Sequence, residues 1–251
     1  MPRGARLLDL DPGLADGLGN HEVQAAQRQL VVRVERIATG AHEMPRSIFG
    51  ADRGIGLLIV GGLAVRRVAL AHRAAAELLG PQDVMRPFQD DEEHSVHPFG
   101  ASLRVLEALD VAVLDAAFTT RLAPFPTITG ELVGRALARS RRSIGALVIA
   151  QLPSVDQRLL VTMWHFADRW GHVRTDGILL PLAVTHEILG LLVAARRPSV
   201  TAALGRLALR HAVVPQPEGG WLLRGDPPEE LGPRPRGPRR ATAPTIAGDA
   251  L

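Results

Sequence analysis

The residues with the most chemistry at a readable spacing lie between Thr185 and Leu207, in the run THEILGLLVAARRPSVTAALGRL. Thr185 carries a hydroxyl that can cap a helix, and Ile188, Leu189, Leu192 and Val193 fall on one inner face behind it. Ala194, Ala195 and Arg196 interrupt that pattern. A second helix is predicted from Arg197, with Pro198 in the first turn, where a missing N–H costs nothing. Val200, Leu204 and Leu207 recur at i, i+4 and i+7 and define a buried side; Pro198, Ala202 and Gly205 fall opposite, flanked by Thr201 and Arg206. A slim face edged by guanidinium and hydroxyl groups suits a polyanion with readable edges. Arg197 can reach O6 and N7 of a guanine, and Ser199 and Thr201 can donate to a phosphate or a base edge.

A second cluster, Asp90, Asp91, Glu92, Glu93, His94 and His97, holds metal-ligating groups. Its spacing does not follow a strong ligand pattern, and a solvated acidic loop is the plainer reading. It supports one alternative function, a cupin-like metalloenzyme or metal-binding protein using the His94/His97 region. No nucleophile–base arrangement stands out, and neither does a phosphate-binding glycine motif; Gly54-Ile55-Gly56 alone carries little. The expectation is therefore a chain that is not an enzyme.

Composition narrows the classes further. All 29 basic residues are Arg, set against 26 acids, and Tyr and Cys are absent. Lack of Cys excludes disulfides, thiolate zinc sites, cysteine nucleophiles and iron–sulfur clusters. No apolar run approaches ~20 residues, so a membrane span is not expected and a cytoplasmic location is. Residues 1–125 hold 13 Arg and 16 acids, residues 126–251 hold 16 Arg and 10 acids. An acidic front and a basic back suggest two units, the second suited to meeting a polyanion.

The elements that must position these groups follow from periodicity. Asn20 to Gln29 reads as a short helix, and Leu30 to Ile37 alternates like a half-buried strand. Ile55–Val60 and Leu63–Leu70 flank Gly61-Gly62, which predicts a tight hairpin. Ala75–Leu79, Val84–Met85, Ser102–Leu106 and Val111–Leu114 are further short strands, and together they predict a small antiparallel barrel or roll. From about residue 127 the period becomes helical. Val133, Leu137, Ser140, Ile144, Leu147 and Gln151 share one stripe, and pairing with the same helix of a second chain is expected to cover it. Burial against the chain's own domains is the alternative. Arg139, Arg141 and Arg142 are expected to face solvent. Leu152-Pro153 ends this helix, and Ser154 to Asp156 lead into another whose Leu159, Leu160, Met163, Trp164, Ala167 and Trp170 make an apolar face. Asp176-Gly177 marks a turn. Ala212-Val213-Val214, a turn through Pro217-Glu218-Gly219-Gly220, and Trp221-Leu222-Leu223 read as a β-hairpin. Helix, tight turn, helix and hairpin in that order describe a winged helix that enters a DNA major groove; a helical hairpin with no nucleic-acid role is the competing reading.

At these residues the chain resembles the cyclic-AMP receptor protein / fumarate–nitrate reduction regulator (Crp/Fnr) transcription factors, over roughly residues 20–224. The resemblance implies an α+β fold: an N-terminal antiparallel β-roll of the cyclic-nucleotide-binding kind (20–126), a long dimerisation helix (127–152), and a C-terminal winged helix-turn-helix (153–224). Residues 225–251, with six Pro and four Gly, are expected to be a disordered basic tail. It also implies a homodimer, through residues 127–152, on a pseudo-palindromic double-stranded operator, with RNA polymerase as a further partner and no membrane. The family's Arg at the start of the recognition helix falls on Arg197 and its following hydroxyl on Ser199. An acidic base-reading position is Pro198 here, a second base-reading Arg is Ala202, and a turn position where Gly is common is Ala194. Thr185, Arg196, Arg197, Pro198, Ser199, Thr201, Ala202 and Arg206 are thus the candidate DNA-binding residues. In the roll, Arg86-Pro87 stands where cyclic-nucleotide-binding members have Gly-Glu, and His97–Gly100 lacks the phosphate-binding Arg. Arg86 or Arg104 would have to substitute. The expectation is an effector domain of unknown or lost ligand, with cyclic nucleotide as the candidate cofactor.

Overall fold

The computed structural model describes residues 3–43, 54–86 and 100–232, and these form two compact units, Met1–Val148 and Ile149–Leu251. Of the predicted tail, 225–251, residues 225–232 are described and include a 3-10 turn at Glu229–Leu231; the rest of it and the Asp90–His97 cluster lie outside the described residues.

The first unit is a roll built on two long strands. β1 is Arg3–Arg6, followed by the short helix α1 (Leu7–Leu10), α2 (Asn20–Gln29), β2 (Val31–Ile37) and β3 (Gly40–Glu43). Next come β4 (Gly56–Leu70), β5 (Arg73–Leu79), β6 (Val84–Met85) and β7 (Gly100–Leu114), then the helices α3 (Ala116–Leu122) and α4 (Pro126–Ile149). All pairing is antiparallel, in the order β1-β2-β7-β4-β5, with β3 also on β7 and β6 also on β4. Consecutive residues enter different cores. Leu57, Ile59, Val111 and Val113 pack with Ile37, Leu79 and Leu103 on one face of the sheet. Leu58, Ala112 and Leu114 pack on the other with Leu7, Leu30, Phe118, Ile128 and Leu132. Burial on both faces explains why these strands read as unbroken apolar runs.

Two sequence expectations are corrected here. Gly61-Gly62 is no hairpin turn: the chain runs on as one strand, β4, with register shifts at those residues opposite β7. Gly62 has φ +82°, and a Cβ there would lie 2.2 Å from the Ala108 carbonyl oxygen, so this glycine allows a bulge rather than a reversal. The reversal comes at Ala71-His72, between Leu70 and Arg73. Likewise Ser102–Leu106 and Val111–Leu114 are not separate strands but parts of β7.

Helix α4 buries Ile128 and Leu132, and a row of its guanidinium groups is bonded to the same unit. Arg135 pairs with the buried Asp11. Although burial opposes it, that partnership holds the Arg135 guanidinium above its ordinary value. Arg139 does not face solvent as expected; it forks onto Glu77 of β5 at 2.7 and 3.1 Å and donates to the Val84 carbonyl at 3.2 Å. Arg142 pairs with Asp83, which is 1% exposed. Arg141 alone of the three is exposed. On the predicted stripe Val133, Leu137, Ile144 and Leu147 are each 53–64% exposed.

The second unit begins with α5 (Val155–Trp170), capped by Ser154, whose hydroxyl accepts from the Gln157 amide. It continues with β8 (His172–Arg174), β9 (Gly177–Leu180), α6 (His186–Leu192), α7 (Arg197–Leu209), β10 (Val213–Pro215) and β11 (Trp221–Leu223). The strands form one antiparallel sheet, β10-β11-β9-β8. Leu159, Met163, Trp164 and Ala167 are buried as their spacing predicts, joined by Val161 and Thr162.

The bulge makes a sharp mutational contrast. Gly62→Ala is expected to destabilise the roll by about 2 kcal/mol or more, through backbone strain and a clash with a carbonyl. Gly61→Ala, whose Cβ would meet nothing closer than 3.6 Å, should stay within about 0.5 kcal/mol. Urea unfolding followed by far-ultraviolet circular dichroism measures both; equal losses would contradict the bulge.

Candidate nucleic-acid interface

Helices α6 and α7 meet at 99°, within the range of helix-turn-helix units. Thr185 caps α6, its Oγ1 accepting from the Ile188 amide at 3.3 Å. The turn is tight because Gly190 lets it close onto α6: the Ala195 amide donates to the Gly190 carbonyl at 2.9 Å, and a Cβ on Gly190 would lie 2.6 Å from the Ala195 oxygen. Ala194 takes φ +50° there, a left-handed conformation that a glycine would adopt more easily. Arg158 of α5 closes the turn from outside. Its Nη1 donates to the Val193 and Ala194 carbonyls at 3.3 and 3.2 Å, satisfying acceptors that the end of α6 leaves open.

α7 is buried on one side through Val200, Ala203, Leu204 and Leu207. Pro198, Ser199, Thr201, Ala202, Gly205 and Arg206 are exposed, as are Arg196 and Arg197 at its start. Leu209, 82% exposed, continues the row of Pro198, Ala202 and Gly205. The hairpin of β10 and β11 follows, with Val213 opposite Leu223 and Pro215 opposite Trp221.

Of the eight candidate contact residues, the structure already engages three. Thr185 is the α6 cap. Thr201 gives its hydroxyl proton to the Arg197 carbonyl at 3.1 Å and accepts from Nδ1 of His186 at 2.9 Å. His186 in turn lies beside Trp221 of the hairpin, with ring centroids 6.4 Å apart. Arg206 forks onto Asp156 of α5 at 3.0 and 2.6 Å, and Arg210 reaches the same carboxylate at 2.9 Å. The hydrogen bonds from Arg206 hold the Asp156 carboxyl below the usual carboxylate range, outweighing partial burial. The sequence reading missed Asp156, Arg158 and His186; their partners are 15 to 54 residues away, so no local spacing announces them. Arg196, Arg197, Pro198, Ser199 and Ala202 remain on the open face, and Arg196 and Arg197 carry no carboxylate partner among the described residues.

The two guanidinium candidates of the roll do not converge. Arg86 follows β6, whose Met85 pairs with Leu57, while Arg104 of β7 pairs with Val65. Those β4 positions stand about 26 Å apart along the strand at about 3.3 Å per residue. Arg86 lines a cleft of about 560 Å³ with Ile55, Leu122, Leu132 and Leu137. Arg104 is exposed between buried Leu103 and Val105, on the face away from their core. Among the described residues no group of His and carboxylate side chains is arranged to hold a metal ion, and no single helix is long and apolar enough to cross a membrane.

No family model matches the chain, and no curated protein matches it by sequence. Solved structures do. A CooA variant from Carboxydothermus hydrogenoformans superposes with a TM-score of 0.59 at 16% identity, over 88% of this chain and 92% of that one. CLP, the c-di-GMP responsive global regulator of Xanthomonas campestris, gives 0.55 at 15% identity, over 83% and 100%. A protein of Eubacterium rectale assigned to the Crp/Fnr regulators gives 0.51 at 12%, over 86% and 95%. The chain therefore has the Crp/Fnr fold: a cyclic-nucleotide-binding-type roll with its long helix, and a winged helix-turn-helix.

The ion pair on Asp156 sets a pH dependence. Because this carboxyl ionises at lower pH in the folded chain, its contribution to stability is full above the unfolded value of about 3.9 and is lost as pH falls through the folded one. The three Trp residues, Trp164, Trp170 and Trp221, all lie in the second unit. Their fluorescence should show the urea midpoint falling further between pH 5 and pH 3 in the wild-type chain than in Asp156→Asn; equal falls would contradict the pair.

Proposed function

We propose that this chain is a sequence-specific DNA-binding transcriptional regulator of the Crp/Fnr kind, a homodimer rather than an enzyme, with the roll as its effector domain. The observation that carries the reading is the open face of α7: backed by buried Val200, Ala203, Leu204 and Leu207, begun by Arg196 and Arg197, and built of side chains small enough for a groove wall to approach. On this reading Arg197 takes the O6 and N7 of a guanine, Arg196 and Ser199 meet the phosphate backbone, and Pro198 and Ala202 lie against thymine methyl groups. The surplus of Arg over acids in residues 126–251 adds sequence-independent attraction. Thr201 serves the site by fixing the helix rather than by touching bases.

The exposed row on α4 supports the dimer. Val133, Leu137, Ile144 and Leu147 present an apolar row, interrupted by Ser140, to solvent in a single chain, at a spacing that a second copy of the helix can interdigitate. A regulator of this kind has RNA polymerase as its downstream partner. With Arg86 and Arg104 apart, the roll offers no anion site built on that pair, so cyclic nucleotide is not proposed as its effector. The metal-centred alternative gains no support from any described residue.

Selection from a random duplex pool should enrich one half-site. Arg197→Ala is expected to lose about 1–3 kcal/mol on the enriched duplex and to relax preference at a single G·C pair. Deoxyuridine in place of the thymine nearest Ala202 should weaken binding by removing only a methyl group. Gel-shift titration reads both, and unchanged affinity in the Arg197 variant would overturn its assignment. Leu137→Glu combined with Leu147→Glu should sediment as a monomer; a persistent dimer would place the interface elsewhere.

A further inference from the structure

Asp156 has two guanidinium groups on one carboxylate, one from the recognition helix and one from the residue that caps it, an arrangement that the proposed contacts with DNA do not use. Arg206 lies in the last turn of α7 and Arg210 caps its end, and both converge on a side chain in the first turn of α5. The carboxylate is 17% exposed, whereas the two Arg side chains are 56% and 62% exposed. The cations are thus positioned by a group that is largely covered and cannot follow them outward. Arg206 sits at one edge of the open face and Thr201 at the other, where His186 holds it. The recognition helix is pinned at both edges, which sets its rotation about its own axis.

The same bond has a second effect. A released Arg206, on the rim of a face that approaches a duplex, would reach phosphate on any sequence, and one more phosphate contact adds affinity without information. Resting on the DNA-binding reading above, we propose that Asp156 is a specificity-determining positioning residue: it keeps Arg206 off the phosphate backbone and fixes the face that Arg197, Pro198 and Ala202 present to the bases.

The test compares the full-length dimer with its Asp156→Asn variant on two duplexes, one enriched by selection and one scrambled, across a salt series. Loss of the carboxylate should steepen the plot of log affinity against log salt on the scrambled duplex by about one, the value expected for one extra phosphate contact. The preference for the enriched duplex should fall at least about fivefold. Asp156→Glu, which keeps the charge, should retain the wild-type slope. Arg206→Gln added to Asp156→Asn should bring the slope back to wild type, which a purely structural role for Asp156 would not produce. Asp156→Ser provides a second chain without the carboxylate should the Asn variant fail to fold. An unchanged or shallower slope in the carboxylate-free chain, or a double variant that stays steep, overturns the proposal. A wild-type chain with no preference between the duplexes overturns the DNA-binding reading itself, so the two failures are separable.

Discussion

One side of α7 must be inside. Val200, Ala203, Leu204 and Leu207 remove their apolar surface from water together, and full burial of a Val or Leu side chain is worth roughly 1.5–3 kcal/mol. With 3.6 residues per turn, that commitment forces Pro198, Ala202, Gly205 and Leu209 outward, and no rotation of the helix can hide them without exposing the first set. Much else in the second unit follows. Gly190 allows the turn to approach, Arg158 satisfies the carbonyls the turn leaves open, and Asp156 and His186 hold the two edges. A helix so firmly backed, with a bare and slender front, is a rigid probe, and a rigid probe is what reading base edges requires.

Helix α4 follows the opposite logic. Three of its four Arg side chains turn toward the chain's own unit, where Asp11, Glu77 and Asp83 receive Arg135, Arg139 and Arg142. Beyond the buried Ile128 and Leu132, its Val133, Leu137, Ile144 and Leu147 side chains turn outward. Buried charge is tolerable only when paired, and here each guanidinium has found a carboxylate. Glu77 also receives Arg66 of β4, whose guanidinium burial pushes below its ordinary value. A helix that turns three cations in and leaves a row of apolar groups out is incomplete as a monomer surface. The dimer proposed here completes it and leaves the inward ion pairs as the link between that surface and β4, β5 and the Asp83 turn.

The fold class was legible because its most diagnostic segments are local. Helices α2 and α5, the Thr185 cap, the start of α7 and the β10–β11 hairpin each announce themselves within a dozen residues, through period, cap or turn chemistry. What failed in the roll failed for a physical reason. Gly61-Gly62 looks like a hairpin because two glycines permit a positive φ, but a bulge needs the same freedom, and only the partner strand distinguishes them. The true turn at Ala71-His72 contains no glycine, so nothing marked it. The short strands β1 and β3 pair with β2 and β7, distant in sequence, and their composition is unremarkable. The site was half legible. Burial and exposure on α7 follow from spacing, whereas the engagement of Arg206 and Thr201 depends on Asp156 and His186, which only the fold brings near. Arg139 and Arg142 were misjudged as solvated because an isolated Arg on a helix carries no sign of the carboxylate awaiting it.

The central claim is that α7 enters the major groove and that a twin subunit does the same one helical turn away. The most direct measurement is a chemical footprint of the purified chain on a duplex enriched from a random pool. The account predicts two protected major-groove patches on the same face of the duplex, centred about 34 Å apart, with guanine N7 shielded from methylation within each. A single patch, uniform weak protection along the duplex, or guanine N7 left open beneath the protein would contradict it.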